Sequence, residues 1–493
     1  MSVARKVDFG KAREKFDDIL GFIEGSFEGG CELADVSRGL LRLLMELGRD
    51  LIQAYIDAYG SGDPGKTLER GDRVLKRLDE PYIRRLVTVF GEVFISRYVY
   101  GTRRSQRHEA VPLDAALNLP ESDFCYHLQE LDQAQVVKSS YGESKSSLEM
   151  LFGFKQSVGS LEKMNRDMAG SADSFNASLP APCADSEESI ISMACDNKGV
   201  RILSGSGDSG RRSRLGKGEK PGKKRMACVG AVYTIAPFVR SAEDVVDEIF
   251  RDKARKRRPR PLNKRVRSEM SREVDGVFLN GKDEIFKWLK SEVESRDPHQ
   301  KKQIVCLMDG ERALWKRAEE HFPYVIGVLD IYHVLERLWK AAHCFHAEGS
   351  EEAEEFVRLR LKRLLEGGAG YVIGGLKQMK TKGNLSSSRV KQLDSVILYL
   401  ENNREHMRYD CYLDAGYPIG SGVAEGACRH LVKDRMELSG MRWSVEGAQA
   451  MLALRAIYLN DEWHDFQRHR IELEKQRLYP YREEILAQWK KSA

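Results

Sequence analysis

The chain has 493 residues, enough for several domains of roughly 100 to 200 residues each. Its 80 Lys and Arg nearly balance 75 Asp and Glu, and the formal charge of +5 says less than where the charges sit. Nine scattered cysteines with no CxxC pair exclude a zinc or disulfide framework, and no run of about 18 apolar residues or apolar leader is present, so a large soluble, cytoplasmic protein is expected.

Residues 11 to 58 are helical by pattern, with Leu40, Leu41, Leu44, Leu47, Leu51 and Ile52 at spacings of three and four. Gly60 to Gly65 break the pattern, and "RLVTVFGEVFISRYVYGTR", residues 85 to 103, predicts a β-hairpin around Gly91. A small packing or dimerisation region over 1 to 110 accounts for these elements. Three helices are then predicted near 122 to 138, 140 to 152 and 157 to 169, with "GFKQS" as the last turn. That spacing suits a helix-turn-helix DNA-binding region over 111 to 175, and equally a plain helical hairpin. Ser157 is placed to cap the last helix, whose exposed candidates for phosphate or base contacts are Ser160, Lys163, Asn165 and Arg166.

From residue 188 strands and helices alternate, as in an α/β sheet protein. "SIISMACD" predicts a strand ending at Asp196, "RMACVGAVYTIAPF" a second strand, and "IVCLMDG" and "YVIGVLDIYH" two more that end on Asp309 and Asp330. Helices are expected near 242 to 250, 279 to 295, 311 to 321 and 331 to 345. Two basic stretches, 210 to 225 and 251 to 267, interrupt this layout and predict loops that favour a polyanion such as nucleic acid; Arg257, Arg258 and Arg260 lie in the denser one. Residues 348 to 408 return to amphipathic helix, as an inserted domain would. A Gly-Ser-Gly turn, a helix, a "SGMRW" break and another helix follow, then a charged helical tail over 463 to 493.

Acids at the carboxyl ends of strands are where open α/β sheets place their chemistry, and two on neighbouring strands can share divalent cations. Asp196 reads either as one such acid or as a turn residue; Asp309 as a second or as a helix cap. Asp330 has the same cap reading, with His333 one turn on, and a lone D-x-x-H is a weak metal signal. Of Glu425, Glu437 and Glu446, Glu425 is favoured as a third acid because it follows a Gly-Ser-Gly that lets backbone approach a ligand. Arg429, Arg435 and Arg442 nearby are candidates for phosphate contacts or ordinary surface charge.

"MDGERALWKRAEEHFPYVIGVLDIYHVLERLW" and "YPIGSGVAEGACRHLVKDRMELSGMRWS" closely resemble the DDE transposases of bacterial insertion sequences, specifically the Kra-type family related to the Mutator-like superfamily. The resemblance covers roughly residues 85 to 460. It implies an RNase H-like core (186 to 346 and 416 to 462) split by a helical insertion (347 to 415), a preceding DNA-binding region, and two Mg2+ or Mn2+ ions. It also implies Asp196, Asp309 and Glu425 as catalytic and metal-binding acids, with Asp330 and His333 in support. The expected activity is cleavage and strand transfer of double-stranded DNA at terminal inverted repeats, by a dimer or larger assembly associated with the nucleoid. A nuclease of the same fold without strand transfer, or a non-catalytic DNA-binding descendant, are the alternatives. This chain departs from the pattern in carrying Asn197 where relatives usually have Gly after the first acid.

Overall fold

The computed structural model describes residues 7–102, 109–203, 224–253, 257–438 and 440–492; most of the basic stretch at 210 to 225, and the 254–256 part of the other, lie outside the described residues. Two compact units emerge, one of residues 1–177 with 462–493, the other of residues 178–461. No helix among the described residues is long and apolar enough to cross a membrane.

The first unit begins with two helices packed on each other, α1 (Gly10–Glu28) and α2 (Leu33–Ala58). A three-stranded sheet follows from β1 (Thr67–Arg70), β2 (Arg73–Arg77) and β5 (Tyr100–Gly101), and the expected hairpin is β3 (Tyr82–Thr88) with β4 (Gly91–Arg97). The strands β1 and β2 escape sequence reading because each buries a single side chain, Leu68 or Leu75, in an otherwise charged run. Helix α3 (Pro112–Leu117) leads to α4 (Tyr126–Val136), α5 (Tyr141–Phe152), α6 (Val158–Ala169) and α7 (Ala172–Ser178). Ser140 and Glu143 form a reciprocal cap on α5, and Ser157 accepts the Ser160 N–H at 2.9 Å.

The packing of α4 on α6 is unusually polar. Asn165 donates to Gln133 at 2.9 Å, Gln133 donates to the Leu161 carbonyl at 3.1 Å, and Gln156 donates to Asp132 at 2.9 Å, all among buried side chains. Asn165 is therefore a core residue and not the exposed contact expected: its amide satisfies a buried partner that water cannot reach. The charged tail becomes two helices of this unit; Trp489 packs with Ile56, Leu86 and Ile95, and Phe466 meets Phe175 edge-on at 5.4 Å.

The second unit is built on a five-stranded mixed sheet. Strands β6 (Ile190–Arg201), β7 (Lys224–Ile235) and β8 (Leu262–Met270) form an antiparallel meander, with α8 (Ala242–Phe250) between the last two. A short hairpin, β9 (Arg272–Val274) and β10 (Val277–Leu279), and α9 (Gly281–Arg296) follow. Then come β11 (Gln303–Met308), α10 (Arg312–His321), β12 (Ile326–Leu329) and α11 (Ile331–Ala342). The strand order is β12-β11-β6-β7-β8, and β11 and β12 run parallel to β6. Helices α12 (Glu351–Leu365), α13 (Ala369–Lys382), α14 (Ser387–Asn402) and α15 (Tyr409–Asp414) follow where an insertion is expected, and their apolar faces join one core with the sheet. Helix α16 (Gly422–Ala427), a π-helical turn over Cys428–Lys433, α17 (Asp434–Met436) and α18 (Val445–Leu459) close the unit. The tail helices are α19 (Trp463–Leu478) and α20 (Arg482–Ser492).

Two expectations change here. The strand through Asp196 does not end there, since β7 pairs with it as far as Arg201. The second half of the basic stretch at 251 to 267 is strand β8 rather than loop, paired with β7, and there Arg265 pairs with Glu292 at 3.1 Å and Arg267 with Glu269 at 2.9 Å, which neutralises these two arginines within the unit.

Candidate active site at the edge of the mixed sheet

The register of the parallel strands sets the site. Met308 of β11 stands opposite Cys195 of β6 and Leu329 of β12, so the next residue of each strand, Asp309, Asp196 and Asp330, falls on one level. Neighbouring strands lie about 4.8 Å apart, which places the three acids in a row across the sheet. The row is a product of pairing that no single segment of sequence displays.

Each acid has different surroundings. Asp196 is half-buried; its carboxylate accepts the Asn197 N–H at 2.6 Å and the thiol of Cys428 from the π-helical turn. Burial, then the Asp196 charge, push the Cys428 thiol well above its ordinary range. Asp309 is also half-buried and accepts the Glu311 N–H at 3.0 Å, but it does not cap α10, whose N-cap is Glu311. Burial raises the Asp309 carboxyl above its ordinary value and the Asp196 charge adds to this, opposed by the Glu311 N–H and by His333. Glu425, exposed on α16, is raised by partial desolvation and then by Asp330 and Asp196, with His333 opposing. Among the described residues none of Asp196, Asp309 and Glu425 makes an ion pair with Lys or Arg.

Asp330 differs, being fully buried with both oxygens occupied. One accepts the Tyr332 N–H at 3.2 Å, capping α11, and the Ser421 N–H at 3.1 Å; the other accepts the Ser421 hydroxyl and His333 Nδ1, both at 2.7 Å. The cap reading of Asp330 is correct, and the same carboxylate anchors the turn that launches α16. His333 is pushed up to about 9, chiefly by its hydrogen bond to Asp330, so the ring is an imidazolium at neutral pH. Asp330, His333 and Glu425 bring one ligand atom each to within 4.8 Å of one another, a spacing that can hold a metal ion.

Several supports were invisible in the sequence. Asn197 donates to Glu311, which also pairs with Lys282, so the residue that departs from the expected Gly ties β6 to the loop after β11. Gly310 has φ +96°, and a Cβ there would lie 2.8 Å from Asn403 Nδ2 and 3.0 Å from the Tyr399 ring. The Tyr399 hydroxyl donates to the Asp309 carbonyl at 2.7 Å, so α14 clamps the loop that carries Asp309.

The basic candidates divide. Lys163, Arg166, Arg257, Arg258, Arg260, Arg429 and Arg442 are exposed; Lys163 pairs with Asp167, Arg258 with Glu248 and Arg429 with Asp434. Arg435 is fully buried, with its guanidinium 4.9 Å from the centre of the Trp443 ring, so it is a core residue that DNA cannot reach. Glu437, an alternative to Glu425, pairs with Lys224.

No protein-family model matches the chain, and no curated protein does. Among solved structures it is similar to the Drosophila P element transposase strand transfer complex, at 8% identity and a TM-score of 0.23 over 71% of this chain and 81% of that one. At that TM-score the two chains share too little geometry for residue roles to be carried across.

Proposed function

We propose that this protein is a DDE-type DNA transposase that cleaves element ends and joins them to target DNA through Asp196, Asp309 and Glu425. The observation that carries the reading is the register-set row of acids at the sheet edge, with Glu425 nearby and, among the described residues, no Lys or Arg paired to Asp196, Asp309 or Glu425. Burial first, and the neighbouring acids second, raise the Asp309 and Glu425 carboxyls, with His333 opposing only in part, and two divalent cations, Mg2+ or Mn2+, would favour their ionised forms. Such ions, when bound, supply activation of the attacking oxygen and stabilisation of the leaving oxygen of a phosphodiester. The strand order, three antiparallel strands with two parallel ones added beside the first, supports an RNase H-like core interrupted by the helices α12 to α15.

The chain's own residues divide the work. Asp196 and Asp309 are held by their strands, while Glu425 comes from a helix whose first turn is fixed by Asp330 through Ser421. Asp330 and His333 are thus positioning residues, and the imidazolium moderates the repulsion among the acids. Exposed Lys163 and Arg166 of α6, and Arg257, Arg258, Arg260, Arg429 and Arg442, supply phosphate contacts for double-stranded DNA. Exposed Phe16, Leu20, Phe27, Leu41 and Leu44 on α1 and α2 support self-association, as pairing of two DNA ends would require.

The test is a labelled duplex taken from the DNA flanking the reading frame, incubated with plasmid and Mg2+. The wild-type chain is expected to nick the end and join it covalently, and Glu425→Gln to lose both activities by about 1000-fold or more. Cleavage that survives in Glu425→Gln refutes the acid assignment; cleavage without joining replaces transposase by nuclease.

A further inference from the structure

A cavity of about 260 Å3 adjoins the candidate site. Its lining includes Phe238, Arg240, Arg258, Tyr332, Tyr417 and Gly422. Tyr332 lies between Asp330 and His333 in sequence, and Gly422 opens the helix of Glu425, so the cavity shares α11 and α16 with the candidate site. Its walls are mostly apolar and aromatic. Gly420 makes room for one of them, since a Cβ there would lie 2.8 Å from the Tyr332 ring.

Two cations face this apolar space. The Arg240 guanidinium lies 5.2 Å from the centre of the Phe238 ring and donates to the Tyr417 carbonyl at 3.3 Å, while its Nε is buried without a hydrogen-bond partner. Burial, then the nearby charge of Arg258, hold Arg240 below the ordinary arginine range, with Glu248, Tyr332 and Asp244 opposing. Glu248 is the partner of Arg258. A buried donor left open beside a second guanidinium calls for an anion, and the aromatic lining calls for a flat ring. A nucleotide has both. The volume is below that of drug-sized sites, which run from about 300 Å3 upward, and it suits a single base rather than a duplex.

We propose that the cavity receives one unpaired nucleotide of the DNA strand being processed, its base among Phe238, Tyr332 and Tyr417 and its phosphate at Arg240 and Arg258. The inference rests on the transposase reading for the identity of the strand. Its consequence is that the strand is held extrahelical beside the acids, which positions the adjoining phosphodiester.

The test uses the full chain in EDTA, so that no catalysis is needed. One probe is a short oligonucleotide of abasic units carrying a single central 2-aminopurine; the other is abasic throughout. The base-bearing probe is expected to bind about 10-fold more tightly, with quenched 2-aminopurine fluorescence. Ala236 also lines the cavity; Ala236→Trp, which fills it, should remove both effects, and Tyr332→Ala should weaken them. Equal affinity of the two probes for the wild-type chain, or a preference that persists in Ala236→Trp, overturns the proposal. Tighter binding of free 2-aminopurine deoxynucleoside monophosphate than of the base-bearing probe also overturns it, in favour of a free-nucleotide site. Base-dependent binding without Mg2+-dependent cleavage would remove the transposase reading and leave the cavity assignment standing; cleavage without base-dependent binding would do the reverse.

Discussion

Replacing Asp330 by Asn isolates the charge of a buried carboxylate from its shape. Asn caps helices about as well as Asp, and its remaining oxygen still accepts the Tyr332 and Ser421 N–H groups. What disappears is the anion beside His333, whose ring is raised from 6.5 to about 9 chiefly by this hydrogen bond. Because the folded value lies above the unfolded one, the stabilisation is whole below about pH 6.5 and is lost as pH rises through 9. Each pH unit corresponds to about 1.4 kcal/mol, which sets a ceiling near 3 kcal/mol; the His333 side chain is 31% exposed, and solvent screening brings the expected loss to about 2 kcal/mol at pH 6. Urea unfolding followed by tryptophan fluorescence, in EDTA, measures it, since Trp339 sits on the same helix. The loss should shrink to a small residue by about pH 10. A destabilisation that is flat from pH 6 to 10, or absent at pH 6, refutes the assignment of His333 and Asp330 as an ion pair.

Three further outcomes are expected. Burial raises Asp132 to about 7, so its unfolded form ionises first and stability of the first unit should fall from about pH 4 to pH 7, then level off; Asp132→Asn should abolish that slope and gain about 2 to 4 kcal/mol at pH 8 in thermal unfolding. Gly310→Ala forces a strained φ and a contact with Asn403, and should cost about 1 to 3 kcal/mol while lowering Mg2+-dependent cleavage through displacement of Asp309. Arg442→Ala should weaken DNA binding and flatten its salt dependence by about one unit of slope, whereas Arg435→Ala should lower the unfolding midpoint by exposing the Trp443 pocket.

Elements with strong periodicity were legible from residues alone. The α5 and α6 helices begin one residue after their predicted starts and end where predicted, α4 is shorter by a few residues at each end, and the apolar runs before Asp309 and Asp330 are β11 and β12. What stayed hidden depends on partners distant in the chain. Arg265 and Arg267 look like part of a solvated basic loop until Glu292 and Glu269 are placed beside them. Arg435 and Asn165 carry polar groups whose burial is set by Trp443 and Gln133. Asp309 and Asp330 were visible as strand ends, but the level they share with Asp196, which lies within β6, and the grip of Ser421 on Asp330, exist only once the strands are in register.

That shared level has a consequence for how the protein is made. A side chain in a strand changes face with every residue, so a slip of β11 by one position would turn Asp309 away from Asp196 while leaving most of the apolar core pairable. A chain misassembled in this way would pass tests of secondary structure and compactness yet lack the acid row. Under the proposed two-cation reading, cation affinity would therefore check the fidelity of folding, reporting at one point whether the three strands have met in the correct alignment.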